Sequence, residues 1–240
     1  MVDSSEARGS RAAVFLAVSL LGAGSVVSAP AAEADEAPRT LYLIRHGQYD
    51  HGDERPPDVG KGLVPLGVAQ SRLLASRLRA IPVTMGSLFS STFTRAHETA
   101  KIIAEEFPPL EVQATPLLCE CTPPTRRADV MEELEPGEAD SCRARLEEAF
   151  SSFFVPSQDG ERHDIVVCHG NVIRYFITRV LGVDPEAWLG MTLGNCSLTI
   201  VRIRPGGAMS LLAAGDVGHL PPNLQSGLSS EAKPLEAPAD

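Results

Sequence analysis

The chain has 240 residues, of which 43% are hydrophobic, so it can bury one full hydrophobic core. Its 21 basic and 31 acidic residues leave a formal net charge of -10, which argues against nucleic acid and anionic membrane surfaces as partners. The sequence shows no internal repeat and predicts one folded domain with additional segments at both ends.

An apolar segment without charged residues occupies positions 12–27, directly after Arg8 and Arg11. A basic start followed by an apolar stretch is typical of a signal peptide or a membrane anchor, and residues 1–32 are predicted to be one of these. The apolar stretch is shorter than the roughly 20 residues that a spanning helix needs, which favours a cleaved signal peptide and the secretory pathway. Residues 33–40 are predicted to be a linker.

The first strand of the domain is predicted over residues 41–44, a short apolar run that ends at Arg45, His46 and Gly47. Gly47 lets the chain turn away without a side chain in front of the histidine. A guanidinium offers a fixed fork of donors to phosphate oxygens, and a neutral imidazole is a nucleophile near neutral pH. Arg45 and His46 are therefore candidates for chemistry on a phosphate group.

Two further strands are followed by candidate phosphate-binding residues. Residues 86–89 form an apolar run before a helix whose first turn contains Arg95, where free backbone N–H groups and the helix dipole favour an anion. Residues 164–167 form another apolar run, which leads through His169 into a helix predicted over residues 171–181. Ligands collect at the carboxyl ends of strands in an open α/β sheet, so these loops are expected to converge on one pocket.

Amphipathic helices alternate with the strands. Apolar residues at helical spacing predict helices at 66–78, 96–107, 146–154 and 172–180. A hairpin is predicted from two apolar runs, residues 198–204 and 208–213, that flank a Pro-Gly-Gly turn. This order predicts a three-layer α/β/α sandwich with a mostly parallel, mixed sheet.

Four motifs in this order resemble those of the histidine phosphatase superfamily, the phosphoglycerate mutase-like proteins. They are residues 45–49 (Arg-His-Gly-Gln-Tyr), 94–99 (Thr-Arg-Ala-His-Glu-Thr), 168–175 (Cys-His-Gly-Asn-Val-Ile-Arg-Tyr) and 215–222. Within the superfamily they look most like the branch of mitochondrial serine/threonine-protein phosphatases. The resemblance covers residues 41–222, the predicted catalytic domain, and the composition of residues 223–240 predicts a disordered tail.

The resemblance implies a phosphomonoesterase that works through a phosphohistidine. His46 would be the nucleophile, and Arg45, Arg95 and His169 would surround the transferred phosphoryl group. Glu120, which follows an apolar Leu-Leu pair, matches the position of the family's proton donor. The resemblance implies no metal ion and no cofactor.

Three further residues are predicted to bind substrate, namely Gln48, Gly170 and Asn171. A second interpretation stays open for two of them, in which Gln48 lines a loop and Asn171 caps the following helix. Gln48 also stands where the mutases of the superfamily carry glutamate, which disfavours mutase activity.

The substrate stays open at this stage. The resemblance favours a phosphorylated protein and thus a serine/threonine protein phosphatase, with a small-molecule phosphate ester or a mutase-type phosphate transfer as alternatives. A catalytically inactive phosphate-binding module is an alternative of another class. Because the related mitochondrial phosphatases carry an uncleaved N-terminal anchor, a mitochondrial membrane tether is the alternative to a signal peptide. The oligomeric state is left open.

The cysteines are an odd number without paired spacing, and the sequence therefore predicts no disulfide framework. They are Cys119, Cys121, Cys142, Cys168 and Cys196.

Overall fold

The computed structural model describes residues 36–228. The chain divides into Met1–Glu33, which lies outside the described residues, and Ala34–Asp240. The predicted signal peptide or anchor over residues 1–32 and the start of the predicted linker lie outside the described residues as well. None of the helices within residues 36–228 is long and apolar enough to cross a membrane.

Six strands of the described range form one mixed sheet. In chain order they are β1 (Arg39–Arg45), β2 (Ser87–Ser91), β3 (Val112–Thr115), β4 (Arg162–Cys168), β5 (Leu198–Ile203) and β6 (Met209–Asp216). Their order across the sheet is β3-β2-β4-β1-β5-β6, with β5 antiparallel to β1 and β6 antiparallel to β5, while the other pairs are parallel. The strands that precede the candidate residues, β2, β4 and β1, are therefore parallel neighbours whose carboxyl ends lie at the same edge.

Helices connect the strands as predicted. They are α1 (Pro65–Arg79), α2 (Thr94–Glu105), α3 (Ala128–Met131), α4 (Glu138–Phe153) and α5 (Gly170–Leu181), together with short 3-10 helices at Pro116–Leu118, Pro185–Gly190, Pro205–Gly207 and Pro222–Leu224. Helix α1 begins at Pro65, whose fixed φ suits the first helical position, although Val64 before it provides no side-chain cap. Helix α5 ends at Gly182, whose φ of 64° is the left-handed conformation that favours glycine.

Successive side chains of β1 enter two separate cores. Leu41 and Leu43 pack with α4 and α5 on one face of the sheet, and Tyr42 and Ile44 pack with α1 and α2 on the other. Burying one such side chain stabilises the fold by about 1.5–3 kcal/mol, so β1 is held firmly from both sides. The predicted three-layer α/β/α sandwich is confirmed.

The fold also differs from the sequence prediction at its amino-terminal end and at one sheet edge. The domain starts before residue 41, since β1 begins at Arg39 and Ala37 exchanges backbone hydrogen bonds of 2.8 and 2.9 Å with Ser157. The edge strand β3 was not predicted, because its sequence Val-Gln-Ala-Thr is short and lies half exposed rather than in an apolar run.

The carboxyl-terminal boundary lies later than predicted. Residues 223–228 fall in the predicted disordered tail, yet Gln70 Nε2 donates to the Leu224 carbonyl oxygen at 2.7 Å. The Asn195 backbone N–H donates to the Ser226 carbonyl oxygen at 2.9 Å. The prediction of disorder therefore does not hold for residues 223–228, because two of their backbone carbonyl oxygens accept hydrogen bonds, one from a side chain and one from a backbone N–H of the domain.

One disulfide is present in the described part of the chain, between Cys121 and Cys142, which are 21 residues apart in sequence. Cys119, Cys168 and Cys196 are buried free thiols. The sequence predicted no disulfide framework because the spacing shows no pairs, whereas this bond depends on α4 passing over the loop that contains Cys121.

Candidate active site

The predicted convergence of strand ends is observed. Strand β1 ends at Arg45 and places His46 directly after it, and β4 ends directly before His169. Helix α2, which follows β2, carries Arg95 as its second residue. The ring centroids of His46 and His169 lie 5.1 Å apart, and Arg95 Nε donates a hydrogen bond to His46 Nε2 at 3.1 Å. The four residues predicted from three separate segments thus share one pocket.

His46 is a buried, neutral imidazole of defined tautomer. Its Nδ1 lies 2.8 Å from the carbonyl oxygen of Gly47, which can only accept, so Nδ1 carries the proton. The pKa of His46 is held well below 6.5, first by burial and then by the positive charges of Arg95 and Arg45. His46 Nε2 therefore keeps its lone pair at neutral pH and can act as a nucleophile.

The loop behind His46 is fixed by a close approach to α1. A Cβ on Gly67 would lie 1.9 Å from the Gln48 carbonyl oxygen, so only glycine fits where the helix meets the loop. The backbone N–H groups of the loop are also bound, by Thr99 Oγ1 for Gly47 at 3.0 Å and by Gln70 Oε1 for Gln48 at 2.9 Å. These contacts fix the position of the histidine backbone.

Buried donors without a hydrogen-bond partner among the described residues surround His46. They are Nε of Arg45 and Nη1 of Arg95, and Nδ1 of His169 is a third buried polar atom without a hydrogen-bond partner there. The opposite edge of Arg45 is bound, since its Nη1 donates to the carbonyl oxygens of Leu193 and of Gly227, the latter at 3.3 Å. Buried N–H groups are costly when unpaired, so a cluster of them indicates a site for an anion.

Aromatic rings enclose the Arg95 guanidinium. Its carbon lies 4.7 Å from the ring centroid of Tyr49 and 5.2 Å from that of Phe93. The Phe93 ring also contacts His169 at 5.4 Å between centroids. These rings exclude water from the cationic group, which strengthens its attraction to an anion.

Glu120 lies beside His169 in the same pocket, with Oε2 3.9 Å from His169 Nδ1. Burial raises the pKa of Glu120, while Arg95, Arg45 and Arg174 oppose that rise. The Glu120 side chain is 28% exposed, so protons and water can reach it. A carboxyl group with a raised pKa at this position can deliver a proton to a leaving oxygen.

Two of the predicted substrate-binding residues have structural contacts. Asn171 donates from its backbone N–H to Glu120 Oε1 at 3.2 Å and from Nδ2 to the Cys121 carbonyl oxygen at 3.1 Å, and His169 occupies the N-cap position. Gln48 contributes its backbone to the loop, accepting from the Val64 N–H at 3.2 Å. Direct substrate binding by either side chain stays a prediction.

The side chain of a further arginine, Arg174, lies near Gly170. Arg174 was not among the site residues predicted from the sequence. A Cβ on Gly170 would lie 3.6 Å from Arg45 Nε and 3.6 Å from Arg174 Nη2, so these two guanidinium groups approach the same small volume. Arg174 Nε is buried without a hydrogen-bond partner within residues 36–228, and the Arg174 guanidinium carbon lies 5.9 Å from the ring centroid of Trp188. The available signal was the helical spacing of four residues from Gly170 to Arg174.

Comparison with known proteins agrees with this geometry. Residues 41–135 and 123–214 match the profile of the histidine phosphatase superfamily (branch 1). The chain therefore belongs to the histidine phosphatase superfamily. It is 44% identical over 193 residues to the mitochondrial serine/threonine-protein phosphatase Pgam5 of Caenorhabditis elegans, and 34% identical over 198 residues to that of Homo sapiens. Each match covers 78% of this chain and 66% of the relative, so the chain spans just under two thirds of the relatives' length.

Solved structures of the same fold include a phosphoglycerate mutase from Plasmodium falciparum. That structure is 27% identical, with a TM-score of 0.55, and the match covers 77% of this chain and 95% of the mutase. YhfR of Bacillus stearothermophilus is 22% identical with a TM-score of 0.60, over 75% of this chain and 98% of its own. Both have the α/β fold described above, which confirms the predicted phosphoglycerate mutase-like fold.

Proposed function

We propose that this chain is a phosphatase that hydrolyses phosphate monoesters through a phosphohistidine on His46, without a metal ion or cofactor. The observation that carries the proposal is the environment of His46 Nε2. This nucleophilic nitrogen lies among buried N–H groups of Arg45 and Arg95, and a buried Nδ1 of His169, that have no hydrogen-bond partner among residues 36–228. Fixed donors in a water-poor pocket stabilise the charge of a transferring phosphoryl group. Membership of the histidine phosphatase superfamily supports this reading.

In the first step His46 Nε2 attacks phosphorus in line with the ester oxygen. The N–P bond forms as the P–O bond breaks, and Glu120 gives its proton to the leaving oxygen, which departs as an alcohol. Arg45, Arg95 and Arg174 supply positive charge for the phosphoryl oxygens. The raised pKa of Glu120 suits this donor role.

In the second step water replaces His46. The ionised Glu120 takes a proton from the water, whose oxygen attacks phosphorus as the N–P bond breaks. Inorganic phosphate leaves, and both His46 and Glu120 return to their starting protonation states. The exposed fraction of Glu120 gives this water access.

We propose phosphoserine and phosphothreonine side chains of proteins as the substrate. The support is that two relatives, 44% and 34% identical to this chain, are serine/threonine-protein phosphatases. A panel of phosphopeptides and sugar phosphates at equal concentration tests this point, with higher kcat/KM expected for the phosphopeptides. Equal or higher kcat/KM for the sugar phosphates would assign a small-molecule phosphatase.

The reaction itself is tested with two histidine variants. His46→Ala should abolish turnover, because it removes the attacking nitrogen, while His163→Ala, near the opposite end of β4, should keep it. Circular dichroism checks that both variants are folded. Turnover by His46→Ala, or complete loss of wild-type turnover in a chelator, would contradict the proposed mechanism.

A mutase-type transfer of phosphate is the second candidate, which the likeness to the Plasmodium falciparum phosphoglycerate mutase favours. A mutase must transfer phosphate to a second substrate hydroxyl faster than water removes it. Following labelled phosphate on a phosphoglycerate measures both rates. Transfer faster than release would replace the phosphatase assignment.

We propose that the segment before the domain directs the chain to a membrane, with a mitochondrial location supported by the names of the relatives. An uncleaved anchor predicts an intact amino terminus in a membrane pellet that resists high salt, because salt removes charge-held proteins but not those held by apolar burial. A new amino terminus near residues 29–32 would instead establish a cleaved signal peptide. Unprocessed protein free in the cytosol would contradict both.

A further inference from the structure

The candidate proton donor Glu120 lies in an irregular stretch between the 3-10 helix Pro116–Leu118 and α3. Both of its neighbours are anchored. The Cys119 carbonyl oxygen accepts from Arg145 Nη2 at 2.8 Å, and Cys121 is joined to Cys142 by the disulfide. The position of the carboxyl group therefore depends on attachments one residue away on each side.

Helix α4 provides both of these attachments, and α5 adds a hydrogen bond from Asn171 Nδ2 to the Cys121 carbonyl oxygen at 3.1 Å. Cys142 and Arg145 are three residues apart and thus on one face of the helix, which is held to the core by the fully buried Leu146 and Ala149. The disulfide is the only covalent link between the Glu120 loop and α4 among the described residues. Helix α4 is therefore the covalent support of this loop, whereas α5 holds it by hydrogen bonds from Asn171.

The carboxyl group itself has weaker contacts. Glu120 Oε1 accepts from the Asn171 N–H at 3.2 Å, and Oε2 lies 3.9 Å from His169 Nδ1, which is beyond a hydrogen bond. A general acid works only within about 2.6–3.2 Å of the oxygen that it protonates, so a small displacement of this loop removes its effect. The disulfide restrains the loop against that displacement.

We propose that Cys121 and Cys142 are positioning residues for proton transfer by Glu120, so that reduction of their disulfide slows the phosphatase on substrates with a poor leaving group. The inference rests on the proposed function and adds a redox requirement to it. It assigns no contact between either sulfur and the substrate.

The reductant is a dithiol. Its thiolate attacks Cys121 Sγ, because Cys121 is partly exposed and Cys142 is buried. The S–S bond breaks, and Cys142 leaves as a thiolate that takes up a proton. The second thiol of the reductant then displaces Cys121 from the mixed disulfide. Two electrons pass to the cysteine pair, which becomes two thiols, and the dithiol becomes a cyclic disulfide.

The test compares two substrates of the full-length protein before and after treatment with dithiothreitol. A phosphoserine peptide needs its leaving oxygen protonated, whereas p-nitrophenyl phosphate releases a stable anion and does not. Reduction should lower kcat/KM for the peptide by about tenfold or more and leave kcat/KM for the aryl ester within about twofold, because general acid catalysis contributes about 10²–10⁴-fold.

Two variants assign the effect to the pair and to Glu120. The double variant Cys121→Ser/Cys142→Ser should match the reduced wild type on both substrates and should not respond to dithiothreitol. Glu120→Gln should lose no further activity on reduction, because both changes remove the same step.

The outcomes are distinct. Unchanged kcat/KM values for both substrates after reduction, with the reduction confirmed by thiol titration, would overturn the proposal. An equal fall on both substrates would also overturn it, since that is what general loosening of the fold produces. Absence of turnover on both substrates in the oxidised protein would overturn the proposed phosphatase function and this inference with it.

Discussion

His46 and Glu120 have opposite protonation requirements in the proposed first step. His46 must be neutral, and its lowered pKa places the rise of kcat/KM with increasing pH below pH 6.5. Glu120 must be protonated, and its raised pKa places the fall of kcat/KM with increasing pH above pH 4.5. The two pKa values thus move towards each other, and a bell-shaped profile is expected.

The first prediction concerns the alkaline side of this profile. Glu120→Gln should lower kcat/KM for a phosphoserine peptide by about 10²–10⁴-fold, because the proton donor is lost, and should remove the decrease on the alkaline side. The ionisation of the substrate near pH 6 is common to both proteins, so the ratio of the two profiles isolates Glu120. A ratio of the two profiles that does not change with pH on the alkaline side would exclude Glu120 as the proton donor.

The second prediction concerns the third arginine of the pocket. Arg174→Met keeps a long side chain against Trp188 but removes a charge-assisted phosphate contact of about 1.5–3 kcal/mol, which corresponds to roughly 10- to 100-fold in kcat/KM. Arg179→Met on the same helix is the control, since Arg179 pairs with Glu147 at 3.2 Å outside the site. Similar kcat/KM values for both variants would remove Arg174 from the site.

At the scale of elements, the short carboxyl-terminal segment 224–228 makes hydrogen bonds to residues that hold the site in place. Its Gly227 carbonyl oxygen accepts from Arg45 Nη1 at 3.3 Å, and Ser226 Oγ donates to Asn195 Oδ1 at 3.1 Å. Asn195 in turn donates from Nδ2 to the His46 carbonyl oxygen at 3.0 Å. The segment is therefore linked to both residues at the end of β1.

The third prediction follows from these links. A chain that ends at residue 222 should lose phosphatase activity relative to one that ends at residue 228, because Arg45 and Asn195 lose their contacts with Gly227 and Ser226. The free energy of unfolding should also fall, by about 1 kcal/mol for each buried hydrogen bond removed. Steady-state kinetics and urea unfolding measure both effects, and equal activity of the two chains would mean that the segment is dispensable.

The strands and site residues that could be predicted are those that follow from local sequence patterns. Strands β1 and β4 end directly before or at a polar candidate, and β2 leads into the first turn of α2 with Arg95, so the juxtaposition of His46 and His169 follows from the order of motifs. Strand β3 and residues 223–228 lack such a pattern. Their positions depend on hydrogen bonds with distant parts of the domain, β3 through its pairing with β2 and Leu224 through the Gln70 side chain.

For the whole molecule, contacts between distant segments explain what the sequence did not predict. The bond between Cys121 and Cys142 requires α4 to lie over the Glu120 loop, and no spacing rule indicates that. Helix α5 begins at the site, and Arg174 follows Gly170 by about one helical turn. Its side chain therefore lies on the same side of the helix as Gly170 and reaches the site. The disulfide depends on how α4 is placed over the Glu120 loop rather than on a local motif, whereas Arg174 could have been selected from its helical spacing to Gly170.

The central claim is that His46 carries the phosphoryl group between two chemical steps. The direct measurement is to mix full-length protein with a ³²P-labelled phosphopeptide, stop the reaction in alkaline denaturant within its first turnover, and map the label. The account predicts an acid-labile phosphate on His46 that forms before inorganic phosphate appears and is absent from His46→Ala. Release of inorganic phosphate without a labelled His46 intermediate, or tight phosphopeptide binding with neither adduct nor product, would contradict it.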